Sequence, residues 1–155
     1  MNIQQTIKHG AVCTTVMGVA ALAIVGLALL PSVATAEKGA PFKAEYLLTV
    51  DEVYGNHIVA SGPGTGTVVG NSSMVAHVKI EGKKALGSAT ITVANGDLIY
   101  IVSTQTEEPG TPAVGPYTVV GGTGRFANAS GTGTTVAKDN PDGTVTATLD
   151  GWISF

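Results

Sequence analysis

After residue 40 the chain alternates apolar and polar residues almost without a break, and glycine-bearing turns punctuate the alternation. A repeat of two is the repeat of an extended strand, whose successive side chains face opposite sides of a sheet. Phe42, Ala44, Tyr46, Leu48 and Val50 fall on one face, against Lys43, Glu45, Thr49 and Asp51, with Leu47 the exception. Met74, Ala76, Val78 and Ile80 oppose Val75, His77 and Lys79, and Ala85, Gly87, Ala89, Ile91 and Val93 oppose Leu86, Ser88, Thr90 and Thr92. The last segment sets Val145, Ala147, Leu149, Gly151, Ile153 and Phe155 against Thr144, Thr146, Thr148, Asp150 and Ser154. Nowhere in this part do apolar residues keep helical spacing over three turns, so it reads as nearly all β.

The turns are placed by their chemistry. Asn95-Gly96 is a strong two-residue hairpin signal, because both residues tolerate positive φ. Tyr54-Gly55-Asn56, Gly82-Lys83-Lys84 and Asn140-Pro141-Asp142-Gly143 suit turns as well. Ser61 to Gly66 also reads as turn-rich, since Pro63 cannot donate to a central ladder. The spacing predicts about eight strands with short connections, the pattern of a small up-and-down barrel. The expected fold is an all-β, eight-stranded antiparallel closed barrel of lipocalin-like shape. A barrel of that size either fills with side chains or holds one small ligand. Leu98, Ile99, Tyr100, Ile101 and Val102 are apolar on both faces, which calls for an outer cover and predicts a subunit interface there.

The most distinctive stretch is Gly121-Gly122-Thr123-Gly124-Arg125-Phe126-Ala127-Asn128-Ala129-Ser130-Gly131. Its glycines suit a tight turn or bulge, Phe126 suits a plug for a barrel end, and Ala127, Ala129 and Gly131 alternate at strand spacing. Gly121, Gly122, Gly124, Phe126 and Gly131 are therefore read as a structural motif, and Arg125 as structural or surface. The run resembles the GGTGxFxxAxG segment of the dirigent and allene oxide cyclase barrel family, especially its small secreted bacterial members. Ala94-Asn95-Gly96-Asp97 and the closing Asp150-Gly151-Trp152-Ile153-Ser154 are also similar to that family, and the resemblance covers most of the chain after residue 40. It implies the eight-stranded barrel, and the trimers of its plant members match the interface expected around Tyr100. It also implies either cyclase chemistry on an unstable epoxide or the steering of a coupling reaction. The polar sites of those proteins find no position-by-position match here.

Residues 1–36 read as a signal helix. Lys8 supplies a positive start, Val12 to Leu30 carry no charge, Pro31 breaks the run, and Ala34-Thr35-Ala36 fits a small-x-small cleavage site before Glu37. Residues 37–155 form the barrel domain, and the expected location is secreted or periplasmic. The apolar run is close to the length of a spanning helix, so retention as a membrane anchor is the alternative. Cys13 is the only cysteine, so the barrel domain holds neither disulfide nor thiolate site.

Lys and Arg number 8 against 11 Asp and Glu, a formal net charge of −3, and no basic patch for nucleic acid is visible. His57 and His77 are far apart and lack metal-site spacing, so no metal or other cofactor is expected. The glycines around Pro63 lack the Gly-Lys-Ser/Thr of a phosphate loop, and no G-x-S-x-G elbow occurs. The clearest strands place Glu45, His77 and Lys79 on the polar face, away from any lumen. The favoured function is binding of a small apolar or aromatic molecule inside the barrel, with Tyr46, Met74 and Tyr100 as the candidate contacts. A cyclase or isomerase of the allene oxide cyclase type, or a structural cell-surface barrel, are the alternatives. An outer-membrane barrel ending in Phe155 is disfavoured by the short chain and the lack of aromatic girdles.

Overall fold

The computed structural model describes residues 39–155; the expected leader, the expected cleavage site and Cys13 lie outside the described residues. Eight strands follow one another: β1 (Ala40–Tyr54), β2 (His57–Gly66), β3 (Gly70–Glu81), β4 (Lys84–Val93), β5 (Leu98–Thr106), β6 (Ala113–Gly122), β7 (Ser130–Asp139) and β8 (Thr144–Ser154). Each pairs antiparallel with the next, and β1 pairs with β8, so the sheet closes into a barrel. The alternation seen in the sequence becomes the inside and outside of this barrel. Phe42, Ala44, Tyr46 and Leu48 are buried in β1, and Lys43, Glu45, Leu47 and Thr49 between them are exposed. Leu47, the exception in the pattern, keeps the parity of its strand and stays outside.

Two places depart from the expected layout. Ser61–Gly66 is not a turn: β2 runs through it, and the turn falls at Thr67–Val69. The strand tolerates Pro63 because the β1–β2 register passes from Tyr46↔Gly64 to Thr49↔Ser61, leaving the ladder open where the proline lacks its N–H. Gly115-Pro116 in β6 repeats the arrangement, with the β5–β6 ladder open between Ser103↔Tyr117 and Thr106↔Val114. At Gly62 and Gly115 a Cβ would run into the carbonyl of Leu47 or Thr104 on the preceding strand. β2 and β6 stand four strands apart, so these two close approaches face each other across the barrel.

The second departure is at the central motif. Ala127 to Ala129 do not join β7; a single 3₁₀ turn, Gly124–Phe126, precedes the strand. This corner and the β4–β5 turn interlock. Thr123 N donates to Leu98 O (2.9 Å) and Leu98 N to Thr123 Oγ1 (2.9 Å). Arg125 N donates to Asp97 Oδ2 (3.3 Å), and that carboxylate also accepts from Asn95 Nδ2 (2.9 Å). The two motifs that stood 25 or so residues apart in sequence thus meet as one structure. The corner delivers Phe126, fully buried, into the barrel end, where its ring lies 4.9 Å from that of Phe155. Arg125 covers both rings, 4.6 and 5.9 Å from their centroids, and its Nη2 donates to Val68 O at 3.1 Å. One arginine therefore ties the β2–β3 turn, the β6–β7 corner and the chain end together.

Gly124 has φ +55°, and a Cβ there would collide with the Asp97 carboxylate. Gly55 has nearly the same φ, +60°, with open space around it. Alanine at Gly55 is expected to cost about 1–2 kcal/mol, the left-handed backbone penalty alone. Gly124→Ala should cost clearly more, because it also breaks the Asp97 contacts. Urea midpoints of the two variants measure the difference.

Candidate functional site

The size of the inward side chains divides the lumen. At the end holding the chain end and the Phe126 corner, Phe42, Tyr46, Ile91, Ile99, Tyr117 and Ile153 fill the space and are fully buried or nearly so. Toward the other end alanines take many of the inward places, among larger residues such as Leu48, Ile58 and Val78. Ala60, Ala76 and Ala89 are direct partners across β2, β3 and β4, and Ala137 partners Ala147 across β7 and β8. These alanines of β2, β3, β4, β7 and β8 leave this part of the lumen unfilled, and a cavity of about 200 Å³ opens there. Its mouth carries Glu107, Thr111 and Asp139, at the end of the β1–β2, β3–β4, β5–β6 and β7–β8 hairpins.

Of the three predicted contacts, Met74 lines this cavity and Tyr46 faces the lumen. Tyr46 sits deeper, in the filled half. Its ring covers Gly64, where a side chain would displace it, and its hydroxyl bonds Ser72 Oγ at 3.0 Å. Burial raises its pKa, partly offset by the Ser72 bond. Tyr100 is a correction. It lies on the outer face, 37% exposed, so its hydroxyl cannot reach the lumen. Between Tyr100↔Gly121 and Ile101↔Val119 a bulge adds a residue to β6, and Ile99 and Ile101 take the inward places. With Val102 it forms part of an exposed, uncharged outer wall.

Sequence reasoning missed four inward residues. Tyr117, 1% exposed, lines the inner end of the cavity with its ring, edge-on to Phe42 at 6.4 Å. The ring lies over Gly133 and Gly151, and its hydroxyl is buried with no hydrogen-bond partner among the described residues. Desolvation, and secondarily the Asp150 carboxylate, push its pKa up to about 12. The others are Ser103, Gln105 and Thr135, polar residues at inward positions of β5 and β7. Gln105 Nε2 donates to Thr135 Oγ1 at 3.2 Å. The signal was parity: Ser103 and Gln105 continue the series of Ile99 and Ile101.

His57 stacks on Tyr54 at a hairpin tip, centroids 5.2 Å apart, and His77 is on the exposed face of β3. Among the described residues no three His, Cys, Asp or Glu groups lie close enough to hold a metal ion. The arrangement therefore offers an apolar, ring-sized hollow with a small polar strip, rather than an array of acids and bases. No protein-family model and no curated protein matches the chain.

The two buried tyrosines make opposite predictions. Tyr46→Phe loses the Ser72 bond and should cost about 1 kcal/mol at pH 7. Tyr117→Phe removes an unpaired buried hydroxyl, so stability at pH 7 should hold or rise. The stabilisation from keeping Tyr117 neutral is complete below its ordinary value of 10 and is lost as pH climbs toward 12. Urea midpoints between pH 9 and 12 should accordingly fall less steeply for Tyr117→Phe than for the parent.

Proposed function

We propose that the protein is an exported barrel that binds one small, mostly apolar molecule in the open half of its lumen. The observation that carries the reading is the cavity of about 200 Å³ between the alanine belt and the Tyr117 ring. An apolar cavity of roughly 150 Å³ is already enough to hold benzene, so a single-ring compound is the right scale. Drug-sized pockets begin at about 300 Å³, which makes a long acyl chain or a multi-ring ligand too large. Export rests on Lys8, the uncharged run from Val12 and the Ala34-Thr35-Ala36 site. The resemblance of Gly121–Gly131 and Ala94–Asp97 to dirigent and allene oxide cyclase barrels supports a role for the lumen. A barrel of this kind acts through shape and exclusion of water, which concentrates and orients its guest.

Toluene tests the reading. At tenfold over its Kd it should stabilise the fold by roughly 1.4 kcal/mol, a rise in Tm of about 5 °C for a domain of this size. Ala76→Phe fills the belt from within and should abolish that rise while the protein still melts cooperatively. An unchanged Tm for the parent at saturating toluene would count against a ligand-binding lumen.

A further inference from the structure

We infer that the lumen selects an uncharged guest carrying one hydroxyl or carbonyl group, read by Gln105 and Thr135, and that it rejects carboxylates. The inference rests on the binding role proposed above and names the chemistry of the same site.

The cavity has two unlike walls. Leu48, Ile58, Met74, Val78 and Leu149 make most of it apolar. Ser103, Gln105 and Thr135 form a polar strip on β5 and β7, to either side of β6. Gly115 on the intervening strand presents no side chain, so Gln105 reaches over it to Thr135. Apart from the tyrosines, Thr135 is the one buried polar side chain of the described barrel, 5% exposed. Polar groups placed in an apolar hollow cost desolvation unless their bonding capacity is used. A carboxamide offers two N–H donors and a carbonyl oxygen with two lone pairs, and the bond to Thr135 uses one of these. The remaining capacity stands beside the cavity, on the strand that also carries Ser103. A guest with a hydroxyl or carbonyl satisfies it, whereas a pure hydrocarbon displaces water from it and leaves it unmade. That asymmetry lets a hydrogen-bonding site discriminate strongly between ligands of equal shape.

Charge sharpens the selection. Glu107 and Asp139 stand at the mouth, and no Lys, Arg or His lines the cavity among the described residues. Lys83, in the β3–β4 turn at the same end of the barrel, is held by Glu108 of the β5–β6 connection at 2.7 Å. A carboxylate would enter past like charge and find no cation to replace its hydration.

Four probes of matched size separate these statements: toluene, benzyl alcohol, benzylamine and benzoate, each titrated calorimetrically into the protein. Benzyl alcohol is expected to bind about tenfold more tightly than toluene, the worth of one satisfied bond; benzylamine, a cation at neutral pH, should bind more weakly than benzyl alcohol, and benzoate most weakly. Gln105→Leu should remove the preference for benzyl alcohol while toluene binding is kept or improved. Thr135→Val provides a second variant of the same pair, with the same expectation. Glu107→Gln combined with Asp139→Asn should bring benzoate closer to benzyl alcohol. Equal binding of toluene and benzyl alcohol, a preference that survives both Gln105→Leu and Thr135→Val, or benzoate as the tightest probe would overturn the inference and leave the lumen reading standing. Failure of all four probes to bind would overturn both.

Discussion

Everything inside this barrel depends on the ladder between its first and last strands. It runs without a break from Ala40↔Ile153 to Thr49↔Thr144. All other pairings join neighbours in sequence, and such a meander could lie open, with β1 and β8 as unpaired edges. Only the closing ladder turns one face of the sheet into an interior. Phe42, Tyr46 and Leu48 then find partners across the lumen as well as beside them. Closure also demands curvature, and the Gly62-Pro63 and Gly115-Pro116 steps supply close strand approach on opposite sides of the wall. The same residues that would spoil a flat sheet help a small barrel to close.

Within the closed wall, side-chain volume decides what each half can do. Large rings and branched chains gather at the end sealed by Phe126, Phe155 and Arg125, and they leave little room. Alanines take many of the inward places of the other half, and a hollow remains between them and the larger residues beside them. The two halves are complementary: a well-packed plug holds the sheet closed, and the unpacked half can remain open without the barrel losing its core. Buried tyrosines mark the border between them. Tyr46 is held by Ser72, while Tyr117 keeps a hydroxyl with no partner among the described residues, over a floor of glycine. An enclosed phenol of this kind resists ionisation, which accounts for its raised pKa.

Strand parity made much of this legible in the amino-acid sequence. Where one face is apolar and the other polar, as in β1, β3 and β8, the inside and outside could be assigned residue by residue, and Met74 was placed correctly in the lumen. Parity has nothing to grip in β5, where Leu98 to Val102 are apolar throughout, and Tyr100 was assigned inward when it faces out. The bulge in β6 adds to the difficulty, because one extra residue shifts every later side chain. The rule that polar residues face water hid Ser103, Gln105 and Thr135, although their spacing from Ile99, Ile101 and Gly131 put them inside. Pro63 misled in a different way: its missing N–H argued for a turn, but the ladder is simply open on that side. The meeting of Asp97 with the Gly124 corner was beyond periodicity altogether, since it joins two turns through a carboxylate.

The barrel is packed at one end and hollow at the other, with the boundary set by residue size. Crystals of the protein held under xenon pressure measure that division directly, since apolar cavities of this scale take up xenon. A single internal xenon site is expected among Ala60, Ala76, Ala89 and Ala147, and none between Phe42 and Phe126. Xenon in the half sealed by Phe126, or a lumen with no xenon at all, would contradict this division.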